Sequence, residues 1–490
     1  MTHTPASDEA VVRISATEPI ADVSADTPVF EVGSTGLTRI EPLAMVTLGE
    51  RTAFYVRCST DRVSDLAAAL PDDFERVASD ADAVVEHDAT PTQLPVPPLD
   101  EFPADERRVL AGCGWRRPTS VADHDAAGGF RTPDAQTVFD VGEALRGRGW
   151  GDWCRDEPVR ETWETVRDAD GESVVVVNAH GSETDRLLLT SAPFEVLDGA
   201  SALARSVDAG RIVVYVSEAD ERAIEVVRDA ADAYPTPAPA FEVVTGPAEH
   251  RAAEPTMALE AIEGNHRLEA RLRPPGPDEV GLDGRPTAVH TARTLAHLSV
   301  ALRDGDVPRT RLLRVTGDVD EPATVELPET ARLGAVRDAV AGDEVKAACV
   351  GGRFGGLTDT LDVRVDPESL QAEDLGTEGV VHLLSADRCL VEFVGRRARF
   401  AAEENCGRCV PCREGTTQLA ELLRDIYDGQ YDRAGIEELV RVMSTSSICT
   451  FGVDAGRPAR TALDAFESEF RAHADGRCPA GCCFDTLEVT

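Results

Sequence analysis

The 490 residues predict a multidomain α/β protein that closes with a helical bundle. Three observations carry that reading. A chain of this length can bury several cores, so three to five domains are expected. From 173 to 245, β-branched runs alternate with helical stretches, the pattern of a parallel sheet with crossover helices. Beyond residue 385 the apolar residues instead recur at i, i+3, i+4 and i+7: Leu419, Leu422, Leu423 and Ile426, then Ile436, Leu439, Val440 and Met443. With further stripes at Leu390, Phe393 and Val394 and at Leu463, Phe466 and Phe470, four helices joined by short loops read as a bundle whose stripes are core.

The elements follow in order. The first ten residues are polar and loose. Short strands are expected at 11–15, 28–32, 44–47 and 53–56, with a helix at 64–70. Residues 85–103 carry five prolines and read as an extended linker, followed by a partly helical connector over 107–141. Then come strands at 173–177, 211–216 and 241–245 and helices at 194–208 and 219–233. In such a sheet a ligand sits at the carboxyl ends of the strands. Arg146–Gly151 and Asn178 lie at those ends, and the glycines Gly147, Gly149 and Gly151 let backbone N–H groups approach a phosphate. By itself that loop is a weak signal. A small β-rich domain follows, with strands at 312–316, 323–327 and 347–351 and a helix at 333–340; the glycines of 351–356 are read as turns.

Composition bounds the function. The net charge is −40 and Lys346 is the only lysine, which reads as the hydrated acidic surface of a halophilic cytoplasmic protein. Such a charge argues against nucleic-acid and anionic-membrane partners. No run approaches 18 apolar residues, so no direct membrane span is expected, and residues 1–10 lack a signal-peptide pattern. Twelve cysteines bunched toward the C-terminus fit a reducing compartment.

Four of those cysteines carry the chemistry. Cys406, Cys409 and Cys412 form a C-x2-C-x2-C run, and Cys449 lies 37 positions further on. The run bends three thiolates toward one point and a distant fourth completes a site for a [4Fe–4S] cluster. A zinc site or plain structural thiols are the other readings, although zinc sites usually pair C-x2-C with a second such pair or with histidines. At the end of the chain Cys478, Cys482 and Cys483 are too few and too close for a cluster alone. They hold metal with a donor from elsewhere, or they are free thiols.

The stretch Cys406-Gly407-Arg408-Cys409-Val410-Pro411-Cys412-Arg413-Glu414-Gly415-Thr416 resembles the C-G-K-C-x-P-C-R-E-G-T signature of the NADH-binding flavoprotein subunit of respiratory complex I. The same module serves NAD-linked hydrogenases and formate dehydrogenases. The resemblance runs over about 30–483 and implies the following domains: a thioredoxin-like domain over 1–84, a linker and connector over 85–139, a Rossmann-like FMN/NADH-binding domain over 140–305, a ubiquitin-like β-grasp insert over 306–368, a four-helix [4Fe–4S] domain over 369–475 and a cysteine-containing tail over 476–490. It implies Cys406, Cys409, Cys412 and Cys449 as cluster ligands, and Gly147, Arg148, Gly149, Trp153, Asn178 and Glu254 as the surviving flavin and nicotinamide contacts. It names no catalytic residue.

The departures are as informative. Ser34 and Thr38 stand where the thioredoxin-like domain of the family has cysteines, so that domain is expected without its [2Fe–2S] cluster. Trp150 and Asp152 replace two glycines of the family's G-R-G-G-A-G-F loop, His250 replaces a tyrosine, Gly276 a phenylalanine, and His290-Thr291 an asparagine pair. Two functions follow from the resemblance. The first passes electrons from NADH through FMN to the [4Fe–4S] cluster and on to partner subunits that carry iron–sulfur clusters. The second is a non-catalytic iron–sulfur electron-transfer or assembly subunit with a degenerate, vacant flavin pocket.

Overall fold

Three sheets and a helical unit are stacked along the chain. The computed structural model describes residues 10–17, 27–70, 74–88, 91–100, 102, 107–235 and 239–483; the expected loose N-terminus and the last residues of the tail lie mostly outside them.

The first sheet holds β1 (Val11–Ser15), β2 (Val29–Val32), β3 (Leu43–Leu48), β4 (Arg51–Tyr55) and β5 (Ala83–Glu86) in the order β2-β1-β3-β4-β5, with β1 and β2 parallel and the other pairs antiparallel. Side chains alternate between faces with period two. Ala44, Val46 and Ala53 pack with the helix Thr60–Ala69, whose Ser59 accepts the N–H of Arg62 as its cap. Leu43, Met45 and Phe54 face the other way, into a core shared with the third sheet. Glu41 gathers the hydroxyls of Ser15, Ser34 and Thr35.

The second sheet, β6 (Ser173–Asn178), β7 (Ala209–Ser217), β8 (Phe241–Gly246) and β9 (Thr287–Thr291), is wholly parallel in the order β8-β7-β6-β9. The Val174–Val177 run is buried on both faces, as a central parallel strand requires. The chain leaves β6 toward β7 on one side and returns as β9 on the other, so the carboxyl ends of β6 and β9 flank a switch point. The helix Glu183–Ser191 was not expected; Ser182 caps it, with Glu183 and Asp185 in its first turn.

The third sheet is β10 (Thr310–Gly317), β11 (Ala323–Pro328), β12 (Val345–Val350), β13 (Gly356–Thr358) and β14 (Val380–Ser385), ordered β11-β10-β14-β12-β13. The expected boundary at 368 cuts through this unit: β14 is its central strand, parallel to β10 and antiparallel to β12. The stretch expected as a helix at 333–340 is a 3-10 helix, Leu333–Ala339.

The helical unit contains Leu390–Glu404, Val410–Asp425, Arg433–Ser446 and Arg457–Ala474, with a short fifth helix, Thr450–Asp454, before the last. Leu419, Leu423, Ile436, Val440, Leu463 and Phe470 meet in one core, as their spacing predicts. Among the described residues no single helix is long and apolar enough to cross a membrane. The bent pair Glu183–Ser191 and Pro193–Ser206 meets that test jointly by composition, and its residues are mostly buried in the parallel unit.

Candidate iron–sulfur and flavin site

The two cysteine loops sit at one end of the helical unit. Cys409 is the N-cap of Val410–Asp425, Pro411 and Cys412 lie in its first turn, and Cys449 precedes Thr450–Asp454. Pro is tolerated there because the first N–H groups of a helix have no intrahelical partner. The loop before it turns on Gly407 (φ +76), whose N–H donates to Asn405 Oδ1 at 3.0 Å. Asn405 is pinned in turn by donating to the Ala402 carbonyl (2.7 Å) and to Thr416 Oγ1 (3.3 Å). The second loop comes so close that a Cβ on Gly452 would lie 2.8 Å from Cys412 Cβ.

These contacts gather the four sulfurs. Cys412 and Cys449 belong to one buried cluster, and the half-buried Cys406 and Cys409 pack against it. Burial raises the Cys412 thiol, and Cys409, Cys449 and Cys406 each raise it further. Burial likewise raises Cys449 to about 12, with Glu254 adding to it and the N–H groups of Gly452 and Phe451 opposing. Four thiolates held together repel one another unless a cation lies among them. Iron supplies that charge, and N–H groups aimed at sulfur are what a bound cluster uses. The donor set therefore fits a [4Fe–4S] cluster. Arg413, next to Cys412, is paired with Glu414 and donates to the Gly407 carbonyl.

The glycine loop and Asn178 meet at the switch point, as expected. Asn178 Nδ2 donates to the carbonyls of Gly151 and Ala253, both at 2.9 Å, which ties the loop to the end of β6 and to the residue before Glu254. The glycines admit the protein's own chain: a Cβ on Gly151 would lie 2.7 Å from Asn178 Nδ2, and one on Gly147 would lie 2.3 Å from the Cys154 carbonyl oxygen. Arg148 is buried, donates to the Arg146 carbonyl and has its pKa lowered to about 10 by burial and by Arg311. Glu254, fully buried, caps Pro255–Ile262 through the N–H groups of Thr256 and Met257 and pairs closely with Arg273. Trp153 stands apart from the loop's interior, with the Arg273 guanidinium 4.6 Å over its ring.

Two residues that replace glycine fill the crevice. Trp150 stacks on His250, with ring centroids 4.5 Å apart and planes 11° apart. His250 also meets Phe400 and Phe354, and Phe354 meets Phe451, forming an aromatic layer between the glycine loop and the cysteine loops. Burial, with Arg353 nearby, lowers His250 to about 3, so its ring is neutral. Asp152 occupies the start of the helix Ala292–Asp304: its carboxylate accepts from Thr291 N–H (3.1 Å) and Thr294 Oγ1 (2.7 Å), where an anionic ligand would bind. Trp163 Nε1 donates to His290 Nε2, which leaves Nδ1–H to face Asp152 at 3.1 Å. Burial alone would raise Asp152; His290, Thr294 and Thr291 together hold it below the ordinary carboxylate range. Trp150 and Asp152 thus narrow the crevice beside the loop, while Asn178 and the loop backbone stay at the carboxyl end of β6.

Beside the layer, a groove of about 600 Å³ runs from Gly246 and Glu249 past Arg251 to Asn405 and Cys406. A second groove, about 590 Å³, lies between the first sheet and Glu183–Ser191, and neither the cysteine loops nor the glycine loop lines it. The Trp150–His250 stack pairs residues remote in sequence, and only the loss of the two loop glycines hinted at it.

A parallel α/β unit with a phosphate-type loop, joined through aromatic side chains to a four-cysteine site, defines an iron–sulfur oxidoreductase module. Two family models match the same two parts: the Nuo51 FMN-binding domain over 145–300 and the NADH-ubiquinone oxidoreductase-F iron-sulfur binding region over 392–473. The F 2 subunit of the NADH-quinone oxidoreductase of Rhizobium meliloti (strain 1021) is 28% identical over 408 residues, 73% of this chain and 96% of that protein. The NADP-reducing hydrogenase subunit HndC of Solidesulfovibrio fructosivorans is 26% identical over 431 residues, 78% of this chain and 87% of that protein. The NAD+-reducing [NiFe]-hydrogenase in its H2-reduced state has a chain of like fold, with a TM-score of 0.65, 23% identity, and coverage of 96% of this chain and 85% of that one. In both matched regions the chain is similar to the flavoprotein subunits of NADH-quinone oxidoreductases and NAD-linked hydrogenases.

Proposed function

We propose that the chain is an NADH dehydrogenase-like iron–sulfur subunit that passes electrons from NADH, by way of its FMN-type domain, to the cysteine site and on to a partner subunit carrying iron–sulfur clusters. The observation that supports it is the contiguity of the two sites: Trp150 at the glycine loop and Cys412 and Cys449 at the cluster loops share one buried layer. Flavin, where bound, exchanges a hydride pair for single electrons, and a [4Fe–4S] cluster accepts them one at a time. The chain's own part is orientation and exclusion of water. Asn178 locks the loop against β6, and the aromatic layer keeps the space between the sites dry. Cys406 lines the open groove beside Arg251, which supports an approach for electrons there.

The remaining assignments belong to the same proposal. The mixed first sheet is thioredoxin-like, the parallel sheet Rossmann-like, the third sheet β-grasp-like and the helical unit a cluster-bearing bundle. A cytoplasmic setting is supported by the acidic surface and the free cysteines.

One observation favours the second reading, an electron-transfer or assembly subunit without flavin: Trp150 and Asp152 close the crevice. A single experiment separates the two. Full-length protein purified without oxygen in high salt is assayed for iron and flavin, then titrated with NADH. Flavin absorbance that bleaches on addition supports the enzyme; iron-replete protein with no flavin and no response to NADH rejects it in favour of the second reading.

A further inference from the structure

Away from the site described, the chain brings together four donors that its two family models leave unassigned. Cys389 precedes the helix Leu390–Glu404, His473 lies in the last turn of Arg457–Ala474, and Cys478 and Cys483 come from the tail. One ligand atom from each lies within 4.8 Å of every other. Cys389, His473 and Cys483 are buried and Cys478 is half-buried. From these positions we propose that Cys389, His473, Cys478 and Cys483 bind a single zinc ion that clamps the tail to the first and last helices of the bundle.

The chemistry of the donors carries it. His473 Nδ1 donates to the Glu469 carbonyl at 2.7 Å, which fixes the tautomer and orients the ring. Nε2 then offers a lone pair, and it faces two sulfurs at once: Cys389 Sγ at 3.2 Å and Cys483 Sγ at 3.3 Å. One cation at that point would satisfy all four donors together. Separations of this size match the edges of a tetrahedron with Zn–S of about 2.3 Å and Zn–N of about 2.0 Å. The donors crowd around one ion, whereas a cubane would separate its cysteines by interposed iron and sulfide. Three thiolates and an imidazole are a donor set of structural zinc. N–H groups support the sulfurs: that of Glu392 donates to Cys389 Sγ at 3.3 Å, and those of Cys482 and Cys483 point to Cys478. Gly481 (φ +71) makes the turn that returns Cys483 to the site, and the Tyr427 ring covers His473 edge-on. Cys482 is exposed and its thiol is directed at the Asp387 carbonyl, so it is not a ligand.

This inference stands independently of the flavin reading. The test is elemental analysis of the full chain, purified without oxygen, with zinc and iron counted separately and the zinc coordination read by X-ray absorption. About one zinc per chain is expected beside the iron, in a shell of three sulfurs and one nitrogen. Cys478→Ala should lose the zinc and keep the iron, while Cys482→Ala should keep both. Iron-replete wild-type protein without zinc, a zinc shell dominated by oxygen, or zinc retained in a Cys478→Ala/His473→Ala variant would each overturn the proposal. The wild-type absorption measurement decides the matter even if a variant fails to fold.

Discussion

The cysteine loops and the glycine loop face each other across one aromatic layer, but their polar atoms are directed differently. At the cysteine loops the sulfurs converge on one another: Cys406, Cys409 and Cys449 raise the proton affinity of Cys412, and Cys406 raises that of Cys449. Gly407 and Gly452 are spent on bringing them close. At the glycine loop several polar atoms have partners within the chain: Asn178 holds Gly151 and Ala253, and Asp152 holds Thr291, Thr294 and His290, while the buried Trp150 Nε1 and Arg148 Nε have no hydrogen-bond partner. The first arrangement demands a cation; the second already has its loop and its carboxylate tied within the chain. A fold can thus keep the frame of a cofactor-binding domain while Trp150 and Asp152 bring contacts made within the chain to its crevice.

The strongest way to break this contrast is to remove one sulfur. Cys412→Ser keeps the shape of the first turn of Val410–Asp425 but offers a hydroxyl that does not replace a thiolate as an iron ligand. Iron is expected to fall from about four per chain to near none. Iron unchanged in the variant would mean that the four sulfurs do not act as one site.

Much of this was legible beforehand, and the reasons are physical. The C-x2-C-x2-C spacing is local, so its convergence could be read directly, and the Val174–Val177 run identified a central parallel strand by its lack of alternation. Asn178 was identifiable because the carboxyl ends of parallel strands are where ligand-facing side chains sit. What stayed hidden was non-local. β14 is a short run, and nothing in 380–385 says that its partners lie in β10 and β12. The Trp150–His250 stack joins two segments far apart in sequence, the glycine loop and the turn after β8. Cys389 and His473 are single residues whose relation to the tail cysteines exists only once the bundle has formed. The helix Glu183–Ser191 was missed for another reason. Its one apolar run, Leu187–Leu189, is too short to show a helical period, so only the cap at Ser182 and the acidic first turn mark it.

The comparison sharpens at the ion-pair network bolting the two regions together. Arg155, just beyond the glycine loop, reaches Glu378 at 3.5 Å and Asp454 at 3.1 Å, and Arg457 closes on Asp454 from the cluster side. Glu378 is buried, and burial raises its pKa to about 7; Arg155 lowers it and Asp454 raises it. The folded state therefore holds this proton more tightly than the unfolded state does. The resulting penalty is absent below about pH 4.5, grows as pH rises to about 7 and stays constant above, with a size of about 3 kcal/mol. Glu378→Gln is expected to match the wild type near pH 4.5 and to exceed it in stability above pH 7, by up to that amount. Denaturant unfolding across this range checks it, and a difference independent of pH would assign the effect to packing.

The smallest expected effect probes the closed crevice directly. Trp150→Gly restores the residue that the family's loop carries and removes the indole from His250, leaving Asp152 in place over the helix Ala292–Asp304. If the indole is what excludes a planar ring, FMN affinity measured by quenching of flavin fluorescence should rise about tenfold, or about 1.4 kcal/mol. Asp152 limits the gain, because its carboxylate still occupies the anion position and repels phosphate. Adding Asp152→Gly should raise the affinity further, although it uncovers the N-terminus of that helix and leaves His290 without its acceptor. If affinity is unchanged in Trp150→Gly and rises only in the double variant, the carboxylate closes the site. If neither variant binds more tightly than the wild type, the two replaced glycines are not what sets flavin binding apart from iron binding in this chain.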